Sequence, residues 1–172
     1  METIEHHTFD KSKWDKGPWT KEPDKIQFAD PETGMPCLIV RNYSGALCGY
    51  VGVAEGHLAF EQSYEEPDVN VHGGLTFAGF CREGAEEHGI CHVPGPGEPD
   101  RIWWLGFDCA HAGDYMPQTT ASLRESGFFE KHPESVAFHK PPYERYRTVA
   151  YVKKQCAKLA NQLEAMCEKN SK

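Results

Sequence analysis

Hydrophobic and polar positions change rhythm several times along the chain. As far as Phe28, apolar residues are scattered among charged ones and broken by Gly17-Pro18 and Pro23, which predicts an irregular N-terminal arm over residues 1–30. Trp14 and Trp19 are the indoles expected to anchor that arm to the body. Cys37–Val40 and Gly49–Val53 are short β-favouring runs, and Asn42-Tyr43-Ser44-Gly45 between them supplies turn formers, so a hairpin is predicted. Val69–Phe80 predicts a third strand interrupted at Gly73-Gly74, and Ile102–Phe107 a fourth. The Gly- and Pro-rich stretch Cys81–Asp100 predicts a surface loop.

After Asp114 a long mixed segment, Tyr115–Pro142, contains a short helix over Thr119–Ser126 and breakers at Pro133, Pro141 and Pro142. A segment of that length often covers a site. The clearest helix runs from Tyr143 to Lys169. Val149, Val152, Cys156, Leu159, Leu163 and Met166 recur there in steps of three and four, opposite Lys153, Lys154, Lys158, Gln162 and Glu164. Such a stripe serves either a coiled-coil seam or packing on the protein's own sheet; fewer than three heptads with Cys at a seam position favour the sheet. The expected fold is α+β, a small, largely antiparallel sheet covered by a long C-terminal helix, as one globular domain over 1–172.

Composition narrows the partners. A chain of 172 residues with 39% hydrophobic content can bury a core without disulfide staples. The net charge of −8, with 18 Lys and Arg clustered only toward the C-terminus, argues against nucleic acid. No apolar run reaches membrane-helix length and Met1–Asp10 is not a secretory leader, so a soluble, cytoplasmic protein is expected. Seven cysteines without a CxxC pair are expected to be reduced core thiols.

Chemistry concentrates in Arg101–Asp114, RIWWLGFDCAHAGD, where an apolar strand ends in small and ionisable residues. Asp108, His111 and Asp114 form a D-x-x-H-x-x-D spacing that a loop can turn into a cage, whereas a regular helix would offset its ends by about 120°. Imidazole and carboxylate ligands suit Zn, Mn or Fe and a polarised water, with His72 or His57 as further ligands. The same residues also suit a metal-free acid–base or ligand site, or a turn held by Asp capping. Gly73 and Gly74 beside His72 offer backbone N–H groups to a ligand, or form a simple bulge. Trp103 and Trp104 point to opposite faces of their strand; one packs against the C-terminal helix, and Trp104 is the candidate for stacking on a ligand. Cys109 beside His111 permits a thiolate nucleophile, although a Cys among seven is more often inert packing. His6, His7, His88, His92, His132 and His139 are expected to be solvated, and Glu65, Glu66 and Asp68 to lie on an exposed loop.

VHGGLTFAG at Val71–Gly79, WWLGFDCAHAGD at Trp103–Asp114 and YRTVAYVKKQCAKLANQL at Tyr146–Leu163 together resemble an uncharacterised family of small bacteriophage- and prophage-encoded proteins. The likeness covers most of the chain from about Gly49 and brings no catalytic assignment. It implies an accessory factor made in the cytoplasm of an infected bacterium. The residues themselves suggest a small-molecule, nucleotide-like site with metal-assisted hydrolysis by His72, Asp108, His111 and Asp114. The alternatives are a binder that sequesters the ligand, or an inhibitor of a host protein that uses the acidic surface and the Tyr115–Pro142 loop.

Overall fold

The computed structural model describes residues 1–81 and 84–170, with side chains as far as Cys167. Six strands, β1 (Ile4–His6), β2 (Lys25–Ala29), β3 (Pro36–Arg41), β4 (Leu47–Ala54), β5 (Phe77–Phe80) and β6 (Ile102–Asp108), form one antiparallel sheet in the order β1-β2-β3-β4-β6-β5. Helices α1 (Pro117–Glu125), α2 (Phe128–Lys131) and α3 (Val149–Asn170) follow. The fold is therefore α+β.

Strand alternation gives the sheet two apolar faces. Cys37, Ile39, Leu47, Val51, Leu105 and Phe107 pack with Val152, Cys156, Leu159 and Leu163 of α3, all of them buried. Val149 and Met166 extend the stripe at half-buried positions, as their spacing predicts. At Gly49, paired with Phe107, a Cβ would enter the Phe107 ring and lie 2.9 Å from Cys156 Sγ, so the bare backbone sets how closely α3 approaches. Leu38, Val40, Cys48, Tyr50, Ile102 and Trp104 form the core of the other face. The predicted surface loop helps to close that face, since Cys91 and His92 are buried and Ile90 packs against it.

The β3–β4 hairpin turns where expected, because Asn42 Oδ1 accepts from Ser44 N (3.0 Å), Ser44 Oγ (2.7 Å) and Ala46 N (3.1 Å). The arm departs from expectation: it contributes β1 and β2. Lys25 and Gln27 disguise β2, because both are buried and held by backbone. Lys25 Nζ donates to the carbonyls of Ala85 (3.3 Å), Glu86 and Cys91 (2.6 Å). Gln27 exchanges hydrogen bonds with the Val93 backbone at 2.7 and 2.9 Å. The third predicted strand is also shorter, with only Phe77–Phe80 pairing, because positive φ at Gly73 and Gly74 turns the preceding chain away. Cys81 and Cys91, expected as thiols, form a disulfide, their Cα atoms brought to 4.6 Å.

The arm's indoles are buried as predicted; Trp14 Nε1 donates to Gln118 Oε1 (2.7 Å), and Trp19 stacks on Tyr115. Around them lies a buried ionic network. Asp24 accepts from Lys11 Nζ (2.6 Å), Arg41 Nε (2.7 Å) and the backbone N–H groups of Thr8 and Phe9. Arg41 also donates to Tyr146 Oη, which donates to Glu22 Oε2, and the second Glu22 oxygen accepts from Val149 N at 2.8 Å. That carboxylate thus caps α3 at its positive end. The helix begins at Val149 rather than Tyr143, because Arg145 is extended and bridges to Asp114, while Thr148 Oγ1 accepts from Tyr151 N. Among the described residues no helix is long and apolar enough to cross a membrane.

Two stability outcomes follow. Leu159→Ala is expected to lower the free energy of unfolding by about 2–5 kcal/mol in a denaturant titration, since the vacated site is enclosed by sheet and helix. Burial works against ionisation of Asp24, yet its bonds to Lys11, Phe9, Arg41 and Thr8 prevail and hold the carboxyl below the ordinary 3.8. The stabilisation is present above that ordinary value and is lost as pH falls through the depressed one. Asp24→Asn should therefore cost about 3–5 kcal/mol near neutrality, and should flatten the acid limb of a stability–pH curve.

Candidate metal centre

Strand β6 ends at Asp108, and the turn that follows is built by its own side chains. Asp108 Oδ1 accepts from Ala110 N (2.9 Å), and Asp114 Oδ2 accepts from His111 N (3.1 Å). Asp114 is then tied to the approach to α3 through the Arg145 bridge and a 2.7 Å bond from Arg147 Nε to Oδ1. Burial resists charging the Asp114 carboxyl, but Arg147, His72 and the His111 N–H outweigh it and hold its pKa below the usual carboxylate value.

His72 comes from the Val71–Gly74 turn, which α3 grips from beneath. Its backbone N–H donates to Gln155 Oε1 (3.0 Å), and the preceding Asn70 is bonded to Gln162 through both its N–H and its carbonyl, and to Lys158 through its side chain. The His72 ring is held at both nitrogens: Nε2 lies 2.7 Å from Asp114 Oδ2 and Nδ1 lies 2.9 Å from Tyr151 Oη. With Asp114 ionised, the satisfying tautomer has Nε2–H donating to the carboxylate and the Tyr151 hydroxyl donating to Nδ1. Arg147 also lies over the Tyr151 ring at 5.1 Å.

His111 faces His72 with ring centroids 5.7 Å apart. Its Nδ1 is buried and has no hydrogen-bond partner, at 3.6 Å from Asp108 Oδ1 and 3.8 Å from Asp114 Oδ2. Those separations are too long for hydrogen bonds. They are close to the spacing of two atoms that share one cation, about 3.0–3.4 Å for bonds of about 2.1 Å. One donor atom each from His72, His111 and Asp114 lies within 4.8 Å of the others, and Asp108 stands at the margin. Gly73 makes this approach possible, because a Cβ there would sit 2.6 Å from His111 Nδ1 and its φ is +67°.

Other candidates are placed elsewhere. His57 uses Nε2 on the Leu163 carbonyl (3.1 Å) and Nδ1 to accept from Ala59 N (3.0 Å), so it braces a loop instead of joining the cluster. Trp104, the candidate stacking residue, is fully buried on the opposite face beside His92, leaving no ring surface for a ligand. Trp103 faces the α3 side, as one of the pair must, with Nε1 on the Gln62 carbonyl. His92 is buried, contrary to its polar setting, with Nε2 3.1 Å from the Pro99 carbonyl. Cys109 is buried, and burial together with the nearby Asp114 charge pushes its thiol pKa far up, so it is not a thiolate nucleophile. Gly74 spends its N–H on the Val71 carbonyl (3.2 Å) and does not offer it to an anion. Glu65, Glu66 and Asp68 are exposed, as their acidic run predicts. Sequence reasoning missed Arg147, just before the helix, and Tyr151 and Gln155 on its edge beside the apolar stripe; their four-residue spacing was the available signal.

Compared with known proteins, the chain matches no family model, no curated protein and no solved structure.

Gly73 and Gly74 provide an internal comparison, since both have positive φ but only Gly73 touches His111. Each Ala variant should lose about 1–3 kcal/mol from backbone strain. Only Gly73→Ala should also displace the His111 ring, seen as loss of the His72–His111 proton contact by NMR.

Proposed function

We propose that the chain is a divalent-metal-dependent hydrolase of a small molecule, with Zn, Mn or Fe held by His72 Nε2, His111 Nδ1 and Asp114 Oδ2. The observation that carries this reading is the buried, unpartnered His111 Nδ1 aimed at two carboxylates. Three protein ligands leave a position for water, and His111 and Asp108, at 37% and 28% side-chain exposure, mark the side from which a substrate enters.

The surrounding bonds suit this role. With a cation held at His72 Nε2 the ring proton would sit on Nδ1, where Tyr151 Oη is in place to accept it, and Arg147, bonded to Asp114 Oδ1, would leave Oδ2 for the cation. A cation held there would supply an acidified water and a polarised substrate bond, and Asp108 would stand as the base for the proton released. The resemblance to phage-borne proteins fits a factor acting on a small molecule in an infected bacterium. A second reading, ligand capture without turnover, draws on His72 already having a partner at each nitrogen without a cation.

Elemental analysis of protein purified without chelator, followed by calorimetric titration with Zn, Mn and Fe(II), tests the reading. Near-stoichiometric metal is expected in the native protein. His111→Ala should abolish it while remaining folded, and Tyr151→Phe or Arg147→Ala should weaken it about 10–100-fold. Against a panel of phosphate and acyl esters, Asp108→Asn should keep the metal but lower kcat about 10²–10⁴-fold. A native protein that takes up none of the three metals overturns the proposal. Metal binding without turnover of any ester favours capture.

A further inference from the structure

Across the Asp114–Arg145 bridge from the metal centre lies a cavity of about 640 Å³, a size typical of small-molecule sites. The neighbours of the site residues face into it: Tyr115 follows Asp114, and Tyr146 precedes Arg147. Trp19 completes this wall, stacked on Tyr115 at 5.0 Å and edge-on to Tyr146 at 4.9 Å. These rings are fixed before any ligand arrives. Trp19 Nε1 donates to the Asp15 carbonyl (2.8 Å), and Tyr146 Oη is locked between Arg41 and Glu22.

The opposite wall is lighter. It comes from α2 and the 3-10 turn Pro133–Ala137, neither of which has a buried residue, and it contributes Phe129, whose ring contacts His139 at 5.3 Å. His139 Nδ1 is 3.3 Å from Glu144 Oε1, and both residues line the cavity, giving it a polar edge between aromatic walls. The charges at the mouth are unequally matched. Arg124 is paired with Asp15 (2.6 Å), whereas Lys16 and Lys140 have no ion-pair partner among the described residues, against one unpaired acid, Glu130.

We infer that this cavity is a second binding site, for a planar aromatic anion of the nucleoside monophosphate class. The ring would lie against Tyr115, Trp19 and Phe129 with its polar edge toward His139 and Glu144, and the anionic group would meet Lys16 and Lys140. Aromatic walls take any flat ring, so the polar edge and the lysines are what select among ligands. The inference is independent of the metal reading, because the cavity shares no lining residue with the metal cluster.

The test is titration of the full chain, in EDTA, with AMP, GMP, CMP and UMP, followed by calorimetry and tryptophan fluorescence. The corresponding nucleosides and inorganic phosphate serve as the two halves of the ligand. At least one monophosphate should bind saturably and quench emission, and its nucleoside and inorganic phosphate should each bind at least about tenfold more weakly. Lys16→Ala with Lys140→Ala, both exposed positions that leave the fold intact, should weaken the monophosphate about tenfold or more, and Glu144→Gln should change the preference among bases. His111→Ala should leave binding unchanged. The inference is overturned if no monophosphate saturates by about 5 mM, if the nucleoside binds as tightly as its monophosphate, or if binding ignores the lysines and follows His111 instead.

Discussion

Everything else in the molecule depends on how α3 lies on the sheet. Val152, Cys156, Leu159 and Leu163 exclude water from one face, and the absence of a side chain at Gly49 brings the helix close. Once that stripe is seated, the adjacent edge of the same helix has no freedom to choose its neighbours. Arg147, just before the helix, and Tyr151, Gln155, Lys158 and Gln162 along it are then placed under Asp114, His72 and Asn70. Non-directional burial supplies the energy and hydrogen bonds supply the register. The cluster of His72, His111 and Asp114 inherits its precision from a helix that contributes no member to it.

Charges buried elsewhere follow one rule: each is surrounded by partners sufficient to replace water. Asp24 has four donors and Lys25 has three carbonyls, and the half-buried Glu22 divides its oxygens between Tyr146 and the first turn of α3. The arm is consequently not an appendage. Through Glu22 and Arg41 it reaches Tyr146, and Tyr146 is one residue from the arginine that holds Asp114. Three buried side-chain atoms among the described residues lack a hydrogen-bond partner, His92 Nδ1, Trp104 Nε1 and His111 Nδ1, and the last of these lies 3.6 and 3.8 Å from two carboxylate oxygens.

The parts of the fold legible in the sequence were those in which a single period dominates. The stripe of α3, the hairpin turn at Asn42, the strand ending at Asp108 and the short helix after Met116 all carry local signals that tertiary contacts reinforce. Strand β2 was hidden because its polar members, Lys25 and Gln27, are satisfied by backbone more than 60 residues away. The Cys81–Cys91 bond and the burial of His92 were hidden for a similar reason, because a loop rich in Gly and Pro gives no sign of folding back over a sheet. Within the cluster, small residues around ionisable ones pointed to His72, Asp108, His111 and Asp114. No pattern within either segment could say that His72 and Asp114 would share a hydrogen bond. Trp104 misled because strand alternation tells which face a ring occupies but not whether that face is covered.

The placement of α3 also has a temporal side. The sheet strands precede it in the chain, so during synthesis their helix-facing surface, including Ile39, Val51 and Leu105, is completed before anything can shield it. The last strand ends at Asp108 and the helix at Asn170, so at about 5–20 residues per second roughly three to twelve seconds pass before the helix is complete. For that interval the nascent chain displays a paired sheet with one greasy side, and the Asn70–Gly74 turn has nothing to hold it. The His72–Asp114 bond is thus an assembly step that waits for translation of a segment on which neither residue lies.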